Sequence, residues 1–109
     1  MRHAPKFDAF LETHGQSVSG TLDRALARED ATAAIALARE EGLPLLGGDI
    51  FVSERGRLRP ANLNWFTDPR PGETEVDFRR RSWYESETFL QEFNWDRHPN
   101  AFVVFARAP

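Results

Sequence analysis

The run Leu43-Pro44-Leu45-Leu46-Gly47-Gly48-Asp49-Ile50-Phe51-Val52 constrains this chain more than any other stretch. It is the most apolar segment of the first half, opened by Gly42 and closed by the polar turn Ser53-Glu54-Arg55-Gly56. Its length and its Val, Ile and Phe content predict a buried strand. Paired glycines inside a strand mark a bulge, or a place where another backbone or a ligand comes close. The run therefore reads as the central strand, with a helix before it and another strand after it.

The flanking segments follow from that assignment. Glu29 to Glu41 carries Ala31, Ala34, Ile35, Leu37 and Ala38 on one face at helical spacing, with Glu29 and Asp30 in the first turn. Gly42 suits the C-terminal cap, and Pro44 stops continuation. Arg57 to Phe66 predicts an antiparallel strand with Leu58, Leu63 and Trp65 as apolar positions; Pro60 confines it to an edge or a bulge. Thr67 to Gly72 is a loop. Glu75 to Asn94 is the long helix, opened by Thr74 with Asp77 three residues on. Its apolar arc holds Val76, Phe78, Trp83, Phe89, Leu90 and Phe93. Ser82 and Ser86 sit mid-arc, where small side chains let the helix approach a sheet. Phe102-Val103-Val104-Phe105, within a terminal strand from Ala101 to Ala106, is apolar enough for an interior position. Residues 1–27 are the least defined segment. Phe7, Phe10 and Leu11 fit a short helix ending near Gly15, Gln16 to Gly20 reads as loop, and Leu22 and Leu26 read as anchors into the core. The sum is an α+β fold, a mainly antiparallel sheet of about three to four strands packed against two main helices, as one domain over residues 1–109.

Composition removes several function classes. The chain has no cysteine, which excludes disulfides, thiol catalysis and thiolate zinc sites. A net charge of -3 gives no electrostatic case for nucleic acid or anionic lipid. No apolar run is long enough for a membrane span and the first residues do not read as a signal peptide, so a cytoplasmic protein is expected. His3, His14 and His98 lack metal-ligand spacing, so no metal is expected. The serines lack a nucleophile elbow, and no carboxylate pair stands out among 17 acids, so no catalytic residue is assigned. Gly47-Gly48-Asp49-Ile50-Phe51 resembles the signature of diguanylate cyclases, but Ile50 replaces the second acid that chemistry needs. Asp49 stands alone in apolar surroundings. It reads either as a carboxylate held by backbone N–H groups at the bulge or as a group projected into a cleft; the first is preferred, because a buried carboxylate needs partners. The acidic stretch Asp68, Glu73, Glu75 and Asp77 reads as helix-terminal charge or as a patch for a basic partner. Tyr84 and Trp95 fall off the apolar arc, where aromatics serve as interface anchors or, equally, as a homodimer seam; Trp95, at the end of the helix, reads alternatively as folding back.

The order of features is similar to the immunity protein 40 family of bacterial polymorphic toxin systems. The resemblance spans roughly residues 25 to 106. It rests on Leu43-Pro44-Leu45-Leu46-Gly47-Gly48-Asp49-Ile50-Phe51, on Asn64-Trp65-Phe66, on a long helix with Ser82, Glu85-Ser86 and Phe89, and on the apolar terminal strand. It implies a small cytoplasmic protein that binds a co-encoded toxin domain and neutralises it, with no catalysis and no cofactor. Gly47, Gly48, Asp49, Asn64 and Trp65 would then define the fold. Asp68, Glu73, Glu75, Tyr84 and Trp95 are the expected partner contacts. The alternative is a small-ligand-binding or regulatory domain using the Gly47-Gly48-Asp49 bulge.

Overall fold

The computed structural model describes residues 3–107. The elements run α1 (Pro5–His14), β1 (Gln16–Ser17), β2 (Arg24–Ala25), α2 (Arg28–Glu40), β3 (Leu45–Glu54), β4 (Arg57–Phe66), α3 (Glu75–Glu92) and β5 (Ala101–Arg107). The fold is α+β. A three-stranded antiparallel sheet has the order β4-β3-β5, and β1 and β2 form a separate two-stranded ladder. The apolar run is the central strand, as its composition predicts.

The helices cover one face of the sheet. Ala31, Ala34, Ile35 and Ala38 of α2 are buried in one core with Leu43, Leu45, Ile50 and Val103. The α2 end is a Schellman motif: Gly42 at φ +68° lets its own N–H reach Arg39 O and the Leu43 N–H reach Ala38 O. The Thr74 hydroxyl opens α3 by accepting from the Asp77 N–H. Cross-helix capping replaces local capping at α1. Ala4 has no capping side chain, and the Glu41 carboxylate accepts the Lys6 and Phe7 N–H groups instead.

The glycine pair decides how the sheet packs against α3. A Cβ on Gly48 would lie 2.4 Å from the Trp65 ring, and one on Gly47 would lie 2.1 Å from Trp65 O. Trp65 fills the space above Gly48, stacks on Phe89 at 4.4 Å and meets Phe105 edge-on at 6.0 Å. Its indole N–H donates to Ser86 Oγ, while Ser82 Oγ accepts the Leu45 N–H. Ser82 and Ser86 are fully buried and join helix to sheet by hydrogen bonds as well as by small size. A register shift between Leu45 and Gly47 bulges Leu46, whose carbonyl accepts the Thr67 N–H.

Five expectations change. Gln16 to Gly20 contributes the two-residue strand β1, and Leu22, in the turn of that ladder, is fully exposed, while Leu26 is buried and bridges Val103. Val76 is largely exposed, because the buried face of α3 begins only at Phe78. β5 is an edge strand. It is apolar because Leu26 caps part of its outer edge and the small cluster of Val18, Ala25 and Val104 covers its second face. Asp49 is exposed, since only one face of the central strand is covered by helices.

Replacing Gly47 by Ala meets both a backbone clash and a φ of +141°. It is expected to cost about 3 kcal/mol in denaturant unfolding. Gly72→Ala, at φ +78° in open space, is expected to cost only about 1 kcal/mol. Equal costs at the two positions would contradict the crowding argument.

Candidate functional site

The sequence points to five contact residues, and the structure divides them. Asp68 and Glu75 are exposed, Glu75 lying 3.8 Å from Arg79 one turn on. Tyr84 projects from α3 with 68% of its surface exposed. Glu73 and Trp95 are committed elsewhere.

Glu73 belongs to an ion network that clamps the loop between β4 and α3. Arg81 Nε donates to Glu73 Oε2 at 2.8 Å and Nη2 to Oε1 at 2.8 Å, a two-point fork. Arg81 also reaches Glu85 Oε2 at 3.1 Å and Asp68 O at 2.6 Å. The buried Thr67 hydroxyl donates to Glu85 Oε1 at 2.7 Å, and the Arg70 N–H to Glu73 Oε1. The Arg81 and Glu73 side chains are only 16% and 12% exposed. The Arg81 fork holds the Glu73 carboxyl below its ordinary 4.5, at about 2. Burial works to raise Glu85, but Thr67 and Arg81 together bring it below the ordinary value. Arg81 is pushed up, chiefly by Glu73. Glu73 is thus a positioning residue that fixes the backbone presenting Asp68, and its charge is spent on Arg81.

Trp95 folds back onto the body of the protein. Its indole N–H donates to Leu90 O at 2.8 Å, its ring meets Phe93 edge-on at 4.8 Å, and the Arg28 guanidinium lies 5.6 Å from the ring centre. The chain leaves the helix at Phe93, where ψ turns to 137°, so Trp95 packs back against the helix end and stays partly exposed.

The glycine pair has no room for a ligand. Trp65 occupies the space over Gly48, and its carbonyl blocks Gly47. Of the Gly47-Gly48-Asp49 bulge only Asp49 faces open space, lining a shallow depression of about 210 Å³ with Pro60, Asn62 and Asn64. Asn64 lies opposite Asp49 in the register, both exposed. Among the described residues, no group of three His, Asp or Glu side chains is placed to hold a metal ion, and no helix is long and apolar enough to cross a membrane.

The surface also holds features outside the five expected contacts. Phe66 ends β4 with 75% of its surface exposed. Pro60 sits where β4 breaks register: Ile50 pairs with Leu63 and Phe51 with Pro60, leaving Ala61 and Asn62 as a bulge. Asn62 takes φ +60°, a conformation Asn tolerates better than most residues. A cleft of about 390 Å³ opens beside it, lined in part by Arg59, Asn62, Arg97, His98 and Asn100.

Residues 16–106 match the model of the family described as Immunity protein 40. The chain belongs to the immunity protein 40 family. The match starts at the first residue of β1 and runs into β5, so it takes in both sheets, α2 and α3 and leaves α1 outside. Comparison with curated proteins and with solved structures gives no match. Membership in this family supports an immunity-protein role, and the glycine pair and Trp65, which carried part of the resemblance, meet in one contact.

The depressed Glu73 carboxyl has a pH consequence. A carboxylate whose folded pKa is lowered stabilises the fold above its unfolded value, near 4.5, and loses that contribution as pH falls towards about 2. Thermal melts from pH 7 to pH 2 should show Glu73→Gln less stable than the parent at neutral pH, with the difference shrinking below pH 4.5. A difference that stays constant across that range would contradict the ion-pair assignment.

Proposed function

We propose that this member of the immunity protein 40 family binds a toxin domain encoded beside it, in the cytoplasm, and neutralises it by covering the toxin's surface. It acts without catalysis and without a cofactor, and neither nucleic acid nor membrane is its partner. The observation that carries this reading is the family match across residues 16–106. Rigid backing for the contact surface supports it: the Arg81 network and the Ser82 and Ser86 hydrogen bonds hold α3 against the sheet, so its outer face meets a partner with little ordering cost.

Tyr84 on the outer face of α3, and Asp68 and Glu75, exposed where the loop enters that helix, are the proposed contacts. Tyr84 is a rigid anchor, and the two carboxylates steer a partner of opposite charge. Glu73 and Trp95 support the surface from behind. A homodimer through Tyr84 competes with this arrangement and is read from the mass of the free chain in solution.

The test is co-purification of the tagged chain with the toxin domain encoded next to its gene, followed by titration and by rescue of cells expressing the toxin. A one-to-one complex with Kd on the order of nanomolar and full rescue are expected. No complex from a folded chain and an active toxin would overturn the reading. Within the complex, Asp68→Lys with Glu75→Lys should slow association at low salt, and Tyr84→Ala should speed dissociation. Unchanged rates in both would remove this face from the interface.

A further inference from the structure

The geometry points to a second contact surface, a groove along the free edge of β4 that receives an extended segment of the toxin carrying one large apolar side chain between a carboxylate and a basic group. The inference rests on the toxin-binding reading above and adds where, and with what chemistry, the partner is held.

Three observations converge on the β4 bulge. The first is the sheet edge. In the order β4-β3-β5 the outer side of β5 is partly capped by Leu26, whereas β4 has no strand beside it among the described residues. Leu63 to Phe66 keep regular pairing to β3, so their outer edge can accept another strand. Pro60 has no N–H and the bulge at Ala61 and Asn62 breaks the ladder, so strand addition is confined to that short stretch.

The second is an apolar floor. A depression of about 330 Å³ beside β4 is lined by Leu63, Phe89 and Phe93 with Glu92, Asn94 and His98. Leu63 is 42% exposed there, although it pairs with the buried Ile50.

The third is charge. The depression meets the larger cleft at His98, and Asn62 and Leu63, adjacent in the chain, line one each. Arg97 lines the cleft end with no carboxylate at ion-pair distance among the described residues; Glu54, the carboxylate that also lines the cleft, is taken by Arg59. Glu92 lies at the apolar end. A segment that fits therefore places its carboxylate at Arg97, its apolar side chain over Leu63, Phe89 and Phe93, and its basic group at Glu92.

The probe is the co-encoded toxin domain, titrated against the parent chain, Leu63→Ser, Arg97→Glu and Glu92→Arg, with a melting curve for each. The three variants should each weaken binding by about tenfold or more while rescue by the parent remains complete. Arg97→Glu alters an exposed loop residue, so it carries the test should Leu63→Ser lower the melting temperature. Tight binding by the parent with variants within about twofold of it would overturn the groove and leave the immunity reading standing. No binding by the parent would overturn both.

Discussion

The contact between Trp65 and Gly48 governs how this chain is put together. An indole can lie flat on a central strand only where the strand has no side chain, and Gly48 is that place. Everything above the contact follows from it. Phe89 stacks on the exposed side of the ring, Phe105 meets its edge, and Ser86 takes its N–H, so one side chain ties β3, β4, β5 and α3 together. Gly47 serves the same end from the backbone: no side chain could pass the Trp65 carbonyl. The glycines and the Asn-Trp pair, about 17 residues apart in the chain, are two halves of one joint.

Much of this was legible in the sequence because it rests on local rules. The alanine face of α2, its Gly42 stop, the Thr74 cap and the span of β4 all follow from periodicity and turn chemistry, and the structure reproduces them within two residues. The departures share a physical origin, which is that local patterns do not say what covers a face. Asp49 sits in an apolar run, yet it is exposed on the face that the helices do not cover and that the Val18 cluster covers only in part. Phe102 to Phe105 reads as an interior strand, but its apolar character answers to Leu26 and the Val18 cluster. Trp95 was projected onto a helix that ends before it.

The site was less legible than the fold for a related reason. Glu73 looks like one of a row of acidic residues, and only the tertiary structure brings the Arg81 fork onto it. Charge counted along a loop overstates the charge offered to a partner, because part is spent holding the loop. The β4 bulge shows the reverse. Pro60 announced an irregularity, but nothing local revealed that Ala61 and Asn62 would open a cleft facing Arg97 and His98. In this fold the joint at Gly48 and the ion network at Arg81 stiffen one end of α3, and the exposed groups available to a partner lie around that stiffened frame.

If the glycine pair exists to seat Trp65, the two positions are energetically coupled, and a double-mutant cycle measures that coupling. Gly48→Ala, Trp65→Leu and the double variant are unfolded in urea and compared with the parent. Gly48→Ala is expected to cost about 2 kcal/mol in the parent and far less in the W65L background, where the ring that the new methyl meets is gone, giving a coupling on the order of 1 kcal/mol or more. Equal costs in the two backgrounds would show that Gly48 answers to something other than Trp65, and the joint described here would not be the basis of the fold.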